Sequence, residues 1–171
     1  MADPLGVAGR DVDRRGVDRR GVDRRSLGVD LGSKRIGVAL CDSGGRLATP
    51  YELVVRSGQR SVDHQRIAQL VDEVEAVRVI VGLPRSLGGG EGPAAQAVLA
   101  EIAELALVVA VPVLTQDERL TTVTAQRNLR QGGLNGVRAR KVVDQVAASV
   151  LLQAFLDAEQ AQDHAAQGGF R

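Results

Sequence analysis

Three acidic residues stand where a carboxylate is either costly or poised for chemistry. Asp30 lies in the middle of the stretch 28–32, GVDLG, where large aliphatic residues alternate with small ones. A carboxylate in an otherwise apolar strand is expensive to bury unless something compensates it. The flanking Gly28 and Gly32 leave room for close approach by a metal or a phosphate. Their ordinary use is equally open: an edge Asp in solvent, with the glycines letting a helix pack tightly. Glu118, in Asp117–Glu118–Arg119, follows an apolar strand directly, where layered α/β sheets present active residues. Taken alone it reads as a loop leading into a helix capped by Thr121 or Thr122. Asp144 sits at the margin of an apolar stripe made by Ala147, Ala148, Leu151 and Phe155. An early-turn Asp that complements the helix dipole, worth about 0.3–1 kcal/mol, would look the same.

The residues between the last two acids sharpen the pattern. No acid or histidine occurs from 119 to 143, whereas Arg119, Arg127, Arg130, Arg138, Arg140 and Lys141 do. A basic segment bracketed by two carboxylates would bring a phosphate backbone to them, although a solvated basic face is the commoner meaning of such a run. Lys34, Arg35 and Arg85 lie in the loops after the first and fourth strands and join the same set of phosphate contacts. Three oxygen donors suit Mg²⁺ or Mn²⁺. The lone Cys41 and the scattered His64 and His164 make no zinc cluster, and neither histidine has a nucleophile beside it.

The elements that must position these acids can be read from periodicity. Leu27, Val29 and Leu31, then Ile36, Val38 and Leu40, alternate with small residues about a turn at Ser33 and Lys34, giving a hairpin with one aliphatic and one nearly bare face. A turn at Gly44 and Gly45 precedes a third strand over 51–55. Helical spacing spans 62–74, a continuous apolar run marks a strand at 77–83, and Pro93 opens a helix reaching 109. A strand over 111–114, a short helix over 121–130, a glycine-rich loop and a long helix over 141–160 complete the order β-β-β-α-β-α-β-α-α. That order implies an α/β domain with a mixed sheet flanked by helices.

Composition sets the outer bounds. With 171 residues, 44% hydrophobic and 25% charged, the chain can build one core, and with 2% aromatics that core must be Val, Leu, Ile and Ala. One cysteine fits a reducing compartment. Neither a secretory signal nor a run long enough to cross a bilayer is found, so a cytoplasmic protein without membrane attachment is expected. Residues 11–25 repeat DVDRR and GVDRR with one Val per repeat, too little apolar surface to order them. The first 25 residues hold seven Arg against five Asp, leaving fifteen basic and sixteen acidic residues in the body. Any nucleic-acid footprint is therefore a local patch. The expected organisation is a disordered extension at 1–25, a domain at 26–160 and a flexible tail at 161–171.

Four blocks, GVDLGSKRIGVAL (28–40), VIVGLPRSLGGGEGPAA (79–95), DERLTT (117–122) and RKVVDQVAASVLLQAFL (140–156), resemble in order the signature blocks of the YqgF/RuvX family. That family comprises pre-16S rRNA nucleases also described as Holliday-junction-resolvase-like. The first block alone would be weak, because sugar kinases and actin-like ATPases open similarly. The resemblance implies a ribonuclease H-like fold whose catalytic, metal-holding acids are Asp30, Glu118 and Asp144. Gly88 replaces an Asp common in relatives, Ser33 replaces a frequent Thr, and neither change touches the acids.

On that resemblance the expected mechanism is two-metal phosphodiester hydrolysis. Asp30 would bridge ions about 4 Å apart, with Arg35 and Arg119 neutralising the scissile phosphate. The products would be 5′-phosphate and 3′-hydroxyl ends. The first expectation for substrate is the 5′ end of pre-16S rRNA, in ribosome biogenesis. The alternative is a four-way DNA junction cut by a homodimer, since two strands must be cut across a two-fold axis. A further alternative is a catalytically inactive nucleic-acid-binding module, which the three acids argue against. A phosphotransferase would need a second such domain.

Overall fold

A computed structural model describes residues 24–84, 92–117 and 137–168, with side chains outside the description at 137–145 and 166–168. Its five strands are β1 (Ser26–Leu31), β2 (Arg35–Cys41), β3 (Ala48–Val55), β4 (Arg78–Leu83) and β5 (Val113–Asp117). The helices are α1 (Arg60–Glu73), α2 (Pro93–Val108) and α3 (Val137–Gly168). The sheet order is β3-β2-β1-β4-β5. β1 to β3 form an antiparallel meander, and β4 and β5 add parallel to β1. The sheet is thus mixed, as the element order requires. The short helix expected over 121–130 falls outside the described residues, as do 1–23.

Alternation along the hairpin decides which helices lie on which face. Leu27, Val29, Ile36 and Val38 pack with Ile67, Leu70 and Val71 of α1 and with Ile102 and Leu105 of α2. The bare face of Ala39 and Cys41, joined by Ile80, receives Ala148, Leu152 and Leu156 of α3. Small residues on the strands let the long helix sit close, so an aliphatic-poor face becomes a second core. None of the described helices is long and apolar enough to cross a membrane.

Element ends depart from sequence expectation for identifiable reasons. β3 begins at Ala48 rather than 51, passing through Pro50. Proline is tolerated there because β3 is an edge strand, and the register shifts between Val38 and Ala39, which pair with Glu52 and Pro50, so that Tyr51 is the extra residue on β3. Gln153 of α3 fastens that start: its side-chain carbonyl accepts the Ala48 N–H at 2.9 Å and its amide donates to Arg46 O at 2.9 Å. β5 runs from Val113 to Asp117, later than the expected 111–114, because Pro112 O accepts the Val79 N–H and the ladder with β4 begins only afterwards. α3 starts before 141 and continues to Gly168, into the stretch expected to be a flexible tail. The added C-terminal turns are Ala- and Gln-rich, and Arg24 pairs with Asp163 at 3.7 Å.

A polar cluster lies under α1 and α2. Asp63, His64 and Glu101 are buried around Arg56. Burial pushes the Glu101 carboxyl up, but hydrogen bonds from Arg56 and His64 and the charges of Arg56 and Arg60 outweigh it and hold it below the usual carboxylate range. Burial likewise raises Asp63, and bonds from Ser57 and Arg56 reverse it. Depressed folded values stabilise above the unfolded carboxylate pKa, and that contribution is lost as pH falls through the folded values. Urea midpoints should therefore hold from neutral pH to the ordinary carboxylate range and drop below it. Glu101→Gln should be less stable at neutral pH, the gap to wild type narrowing on acidification; parallel curves would remove Glu101 from the acid response.

Candidate active site

Asp30 is two residues beyond Gly28 on β1, so both project to the α3 face, opposite Val29 and Leu31. The carboxylate is half-buried. Its partner on β2 is Gly37, and continuing the β1–β4 register past Val29↔Val81 sets Gly82 on its other side. Both glycines are buried and neither offers a side chain. Asp30 is therefore flanked by glycines on both neighbouring strands. Its carboxylate oxygens are donors of the hard kind that a divalent cation such as Mg²⁺ takes.

The glycines preceding and following it have other work. A Cβ on Gly28 would lie 2.7 Å from Leu152 Cβ and 2.9 Å from Ala148 O, so this position exists to admit α3. A Cβ on Gly32 would meet Arg35 O at 2.4 Å, which keeps the β1–β2 turn tight. The ordinary meaning of these two glycines, close packing, thus holds, while Gly37 and Gly82 bring no side chain to the strands beside Asp30. Gly82 was hidden inside an apolar run, although a glycine within a strand itself signals close approach.

α3 crosses the sheet antiparallel to β1. Near its C-terminal end, Arg78 of β4 grips Glu159 through two hydrogen bonds of 2.6 and 2.7 Å, and Gln160 reaches Gly45 O at 3.3 Å. Arg78 also lies over the Phe155 ring, 5.0 Å from its centroid. Ala148 stands over Gly28. Asp144, one turn earlier, is displaced about 6 Å along the helix toward its N-terminus, and Asp30 is a similar distance from Gly28 along the strand. The two backbones are therefore level across the interface.

The C-terminal ends of β1, β4 and β5 share one edge of the sheet. Asp117 closes β5 opposite Leu83 and is half-buried. Glu118 is the next residue in the chain and lies outside the described residues, as do Arg85, Arg119, Arg127 and Arg130. Arg138, Arg140 and Lys141 fall in the first turns of α3, with side chains likewise outside. At the same edge, the β1–β2 turn presents Lys34 exposed and Arg35 half-buried. Asp30 is thus the one expected acid whose side chain is described, and the edge brings Lys34 and Arg35 close to it in the chain. Arg56, which reaches this turn from β3, was not singled out by sequence, since nothing local marks it.

Comparison with known proteins agrees with this architecture. Residues 24–158 match the family model for RuvX, described as Holliday junction resolvase. The "Putative pre-16S rRNA nuclease" of Streptomyces avermitilis is 52% identical over 134 residues, 78% of this chain and 85% of that one. Its namesake in Mycobacterium ulcerans is 53% identical over 133 residues, covering 77% of each chain. Among solved structures, RuvC of Thermus thermophilus superposes with a TM-score of 0.50 at 16% identity, covering 82% of this chain and 96% of that one. At that identity the likeness concerns the fold, a ribonuclease H-like mixed sheet with flanking helices.

Proposed function

The chain belongs to the RuvX family, and from that premise we propose that it is a metal-dependent nuclease acting on the 5′ end of pre-16S rRNA. The observation that carries the reading is the place of Asp30: half-buried, on the α3 face, between Gly37 and Gly82 at the end of β1. The names of relatives near 50% identity supply the substrate class. In this reading 26–160 form the cytoplasmic nuclease domain, and 1–25 and 161–171 lie outside the chemistry.

Asp30, Glu118 and Asp144 would hold Mg²⁺ or Mn²⁺, two ions per site, which when bound lower the pKa of an attacking water and stabilise the leaving oxygen. Asp30 contributes hard oxygen donors on a strand fixed by pairing on both sides, so its position is set before substrate arrives. Lys34 and Arg35 of the turn, with Arg85, Arg119, Arg127, Arg130, Arg138, Arg140 and Lys141, would meet the phosphates and orient the strand. Their contribution is positional and salt-dependent, so affinity should fall steeply with ionic strength.

The family's description favours a second reading, a four-way DNA junction resolved by a homodimer. One preparation should be assayed on pre-16S RNA fragments and on junction DNA, with Mn²⁺ and with chelator. Metal-dependent trimming of the RNA near its mature 5′ end supports the proposal; symmetric incision of the junction alone replaces it with the second reading. Cleavage of neither, with nucleic acid still bound, would indicate a binding module. Asp144→Asn adds the metal test. It relieves repulsion among three carboxylates, so without metal its thermal midpoint should match or exceed wild type, while added Mn²⁺ should raise it less. Equal metal-induced shifts would take Asp144 out of the site.

A further inference from the structure

Among the described residues, the Arg56 cluster is a buried polar group near the acid edge that the chemistry above does not use. Arg56 follows β3, and its backbone N–H donates to Lys34 O at 3.0 Å, extending the β2–β3 ladder to the turn. Its guanidinium turns back under the same loop. Nε donates to Gly32 O at 3.0 Å, Nη2 to Glu101 Oε2 at 3.2 Å, and Nη1 to Glu101 Oε1 and, at 3.4 Å, to Asp63 Oδ2. Gly32 in turn donates its N–H to Asp30 O at 3.0 Å. A continuous chain of hydrogen bonds thus runs from the backbone of Asp30, through Gly32 and Arg56, to carboxylates on α1 and α2.

The carboxylates are themselves anchored. Asp63 accepts the Ser57 N–H at 2.9 Å, and Glu101 is hydrogen-bonded to buried His64 at 3.2 Å. Arg56 is 14% exposed, so its bonds are shielded from competing water. Burying an arginine with two carboxylates is weak evidence for stability, because desolvation offsets most of the attraction; geometric specificity is the better-attested use. Here the specified geometry is that of the turn. The planar fork is required, since a lysine carries one point of donation and cannot serve a carbonyl on one side and two carboxylates on the other.

We infer that Arg56 is a positioning residue for the Asp30 site: by clamping Gly32 O against α1 and α2, it fixes the end of β1 and the turn bearing Lys34 and Arg35. This rests on the metal-dependent nuclease reading. The ion cluster acts as a bracket on the back of the sheet for chemistry on the front.

The test compares Arg56→Lys with wild type and with Arg78→Lys, a control that weakens the equally committed Arg78–Glu159 pair at the opposite end of the sheet. Mn²⁺ affinity is measured by calorimetry on the full chain, alongside thermal midpoints and the KM and kcat of cleavage. Arg56→Lys should bind Mn²⁺ about tenfold or more weakly, the loss typical when a group supporting a metal ligand is removed. Its kcat should fall by a larger factor than KM for nucleic acid rises, since seven basic residues of the proposed set besides Lys34 and Arg35 still meet the phosphates. Arg78→Lys should lower the midpoint and leave Mn²⁺ affinity unchanged. If Arg56→Lys lowers only the midpoint, as Arg78→Lys does, the cluster is structural and the inference fails while the nuclease reading stands. Wild type that takes up no Mn²⁺ overturns the metal-dependent reading and the inference together. Should Arg56→Lys not fold, Glu101→Gln, which frees one side of the fork, is expected to weaken Mn²⁺ binding in the same direction; unchanged affinity there overturns the inference.

Discussion

Replacing Asp30 by Asn is expected to reduce metal-dependent cleavage at least a thousandfold, equivalent to about 4 kcal/mol of transition-state stabilisation. The two side chains have nearly the same shape, so the place between Gly37 and Gly82 is filled as before. What changes is a formal negative charge and one oxygen donor. The fold should survive, because the β1 ladder to β2 and β4 is made by backbone groups and the neighbouring aliphatic residues face the opposite core. Unchanged circular dichroism and, with chelator, a thermal midpoint no lower than that of wild type, together with activity at background, are the expected results. Substantial residual cleavage in Mg²⁺ would take Asp30 out of the chemistry. Loss of folding would make it a structural acid.

The second large effect is expected at Gly28. An alanine there places its Cβ against the root of Leu152 and the carbonyl of Ala148, neither of which can swing aside as a side-chain tip could. The reduced entropy of the unfolded chain returns at most about 1 kcal/mol. Overpacking costs about 1–3 kcal/mol, so the clash prevails. For a domain of this size the midpoint should drop by about 2–4 °C for each kcal/mol. Because α3 must lift or slide to accommodate the methyl, and Asp144 rides on the same helix, catalysis should fall further than stability alone explains. Gly28→Val should be worse in both respects. An alanine variant with a normal midpoint but lost activity would mean that the glycine serves the substrate, contrary to the packing found here.

How much of this was legible beforehand depends on the range of the forces involved. The hairpin was written in alternation, which is local, so both faces of β1 and β2 and the place of Asp30 could be read directly. The bare face also announced that something would pack close, though its partner, α3, lies more than a hundred residues on. The start of β3 at Ala48 lies beyond the 51–55 read from sequence because Pro50, which lacks an N–H, fits an edge strand but not a central one, and strand order is a tertiary property. Gly82 was masked by the apolar residues beside it; its meaning appears only when Asp30 is laid next to it in register. Arg56, Asp63, His64 and Glu101 share no periodicity, and Asp63 by itself looks like an ordinary acid near the start of a helix. A cluster assembled from a strand end and two helices leaves no local trace.

The route of α3 has a bearing on when the protein can act. A ribosome delivers β1 and β2 early and α3 last among the described elements, yet the face holding Asp30 packs against Ala148, Leu152 and Leu156 of α3. Until those residues emerge, Ala39, Cys41 and Ile80 lack the α3 side chains that pack on them. Such late closure by distant segments is slow and leaves the growing chain with exposed apolar surface. If Asp30 and Asp144 act together as proposed, a chain that stops short of α3 lacks one of them. On this arrangement the α3 side of the sheet is completed only once α3 itself has been made.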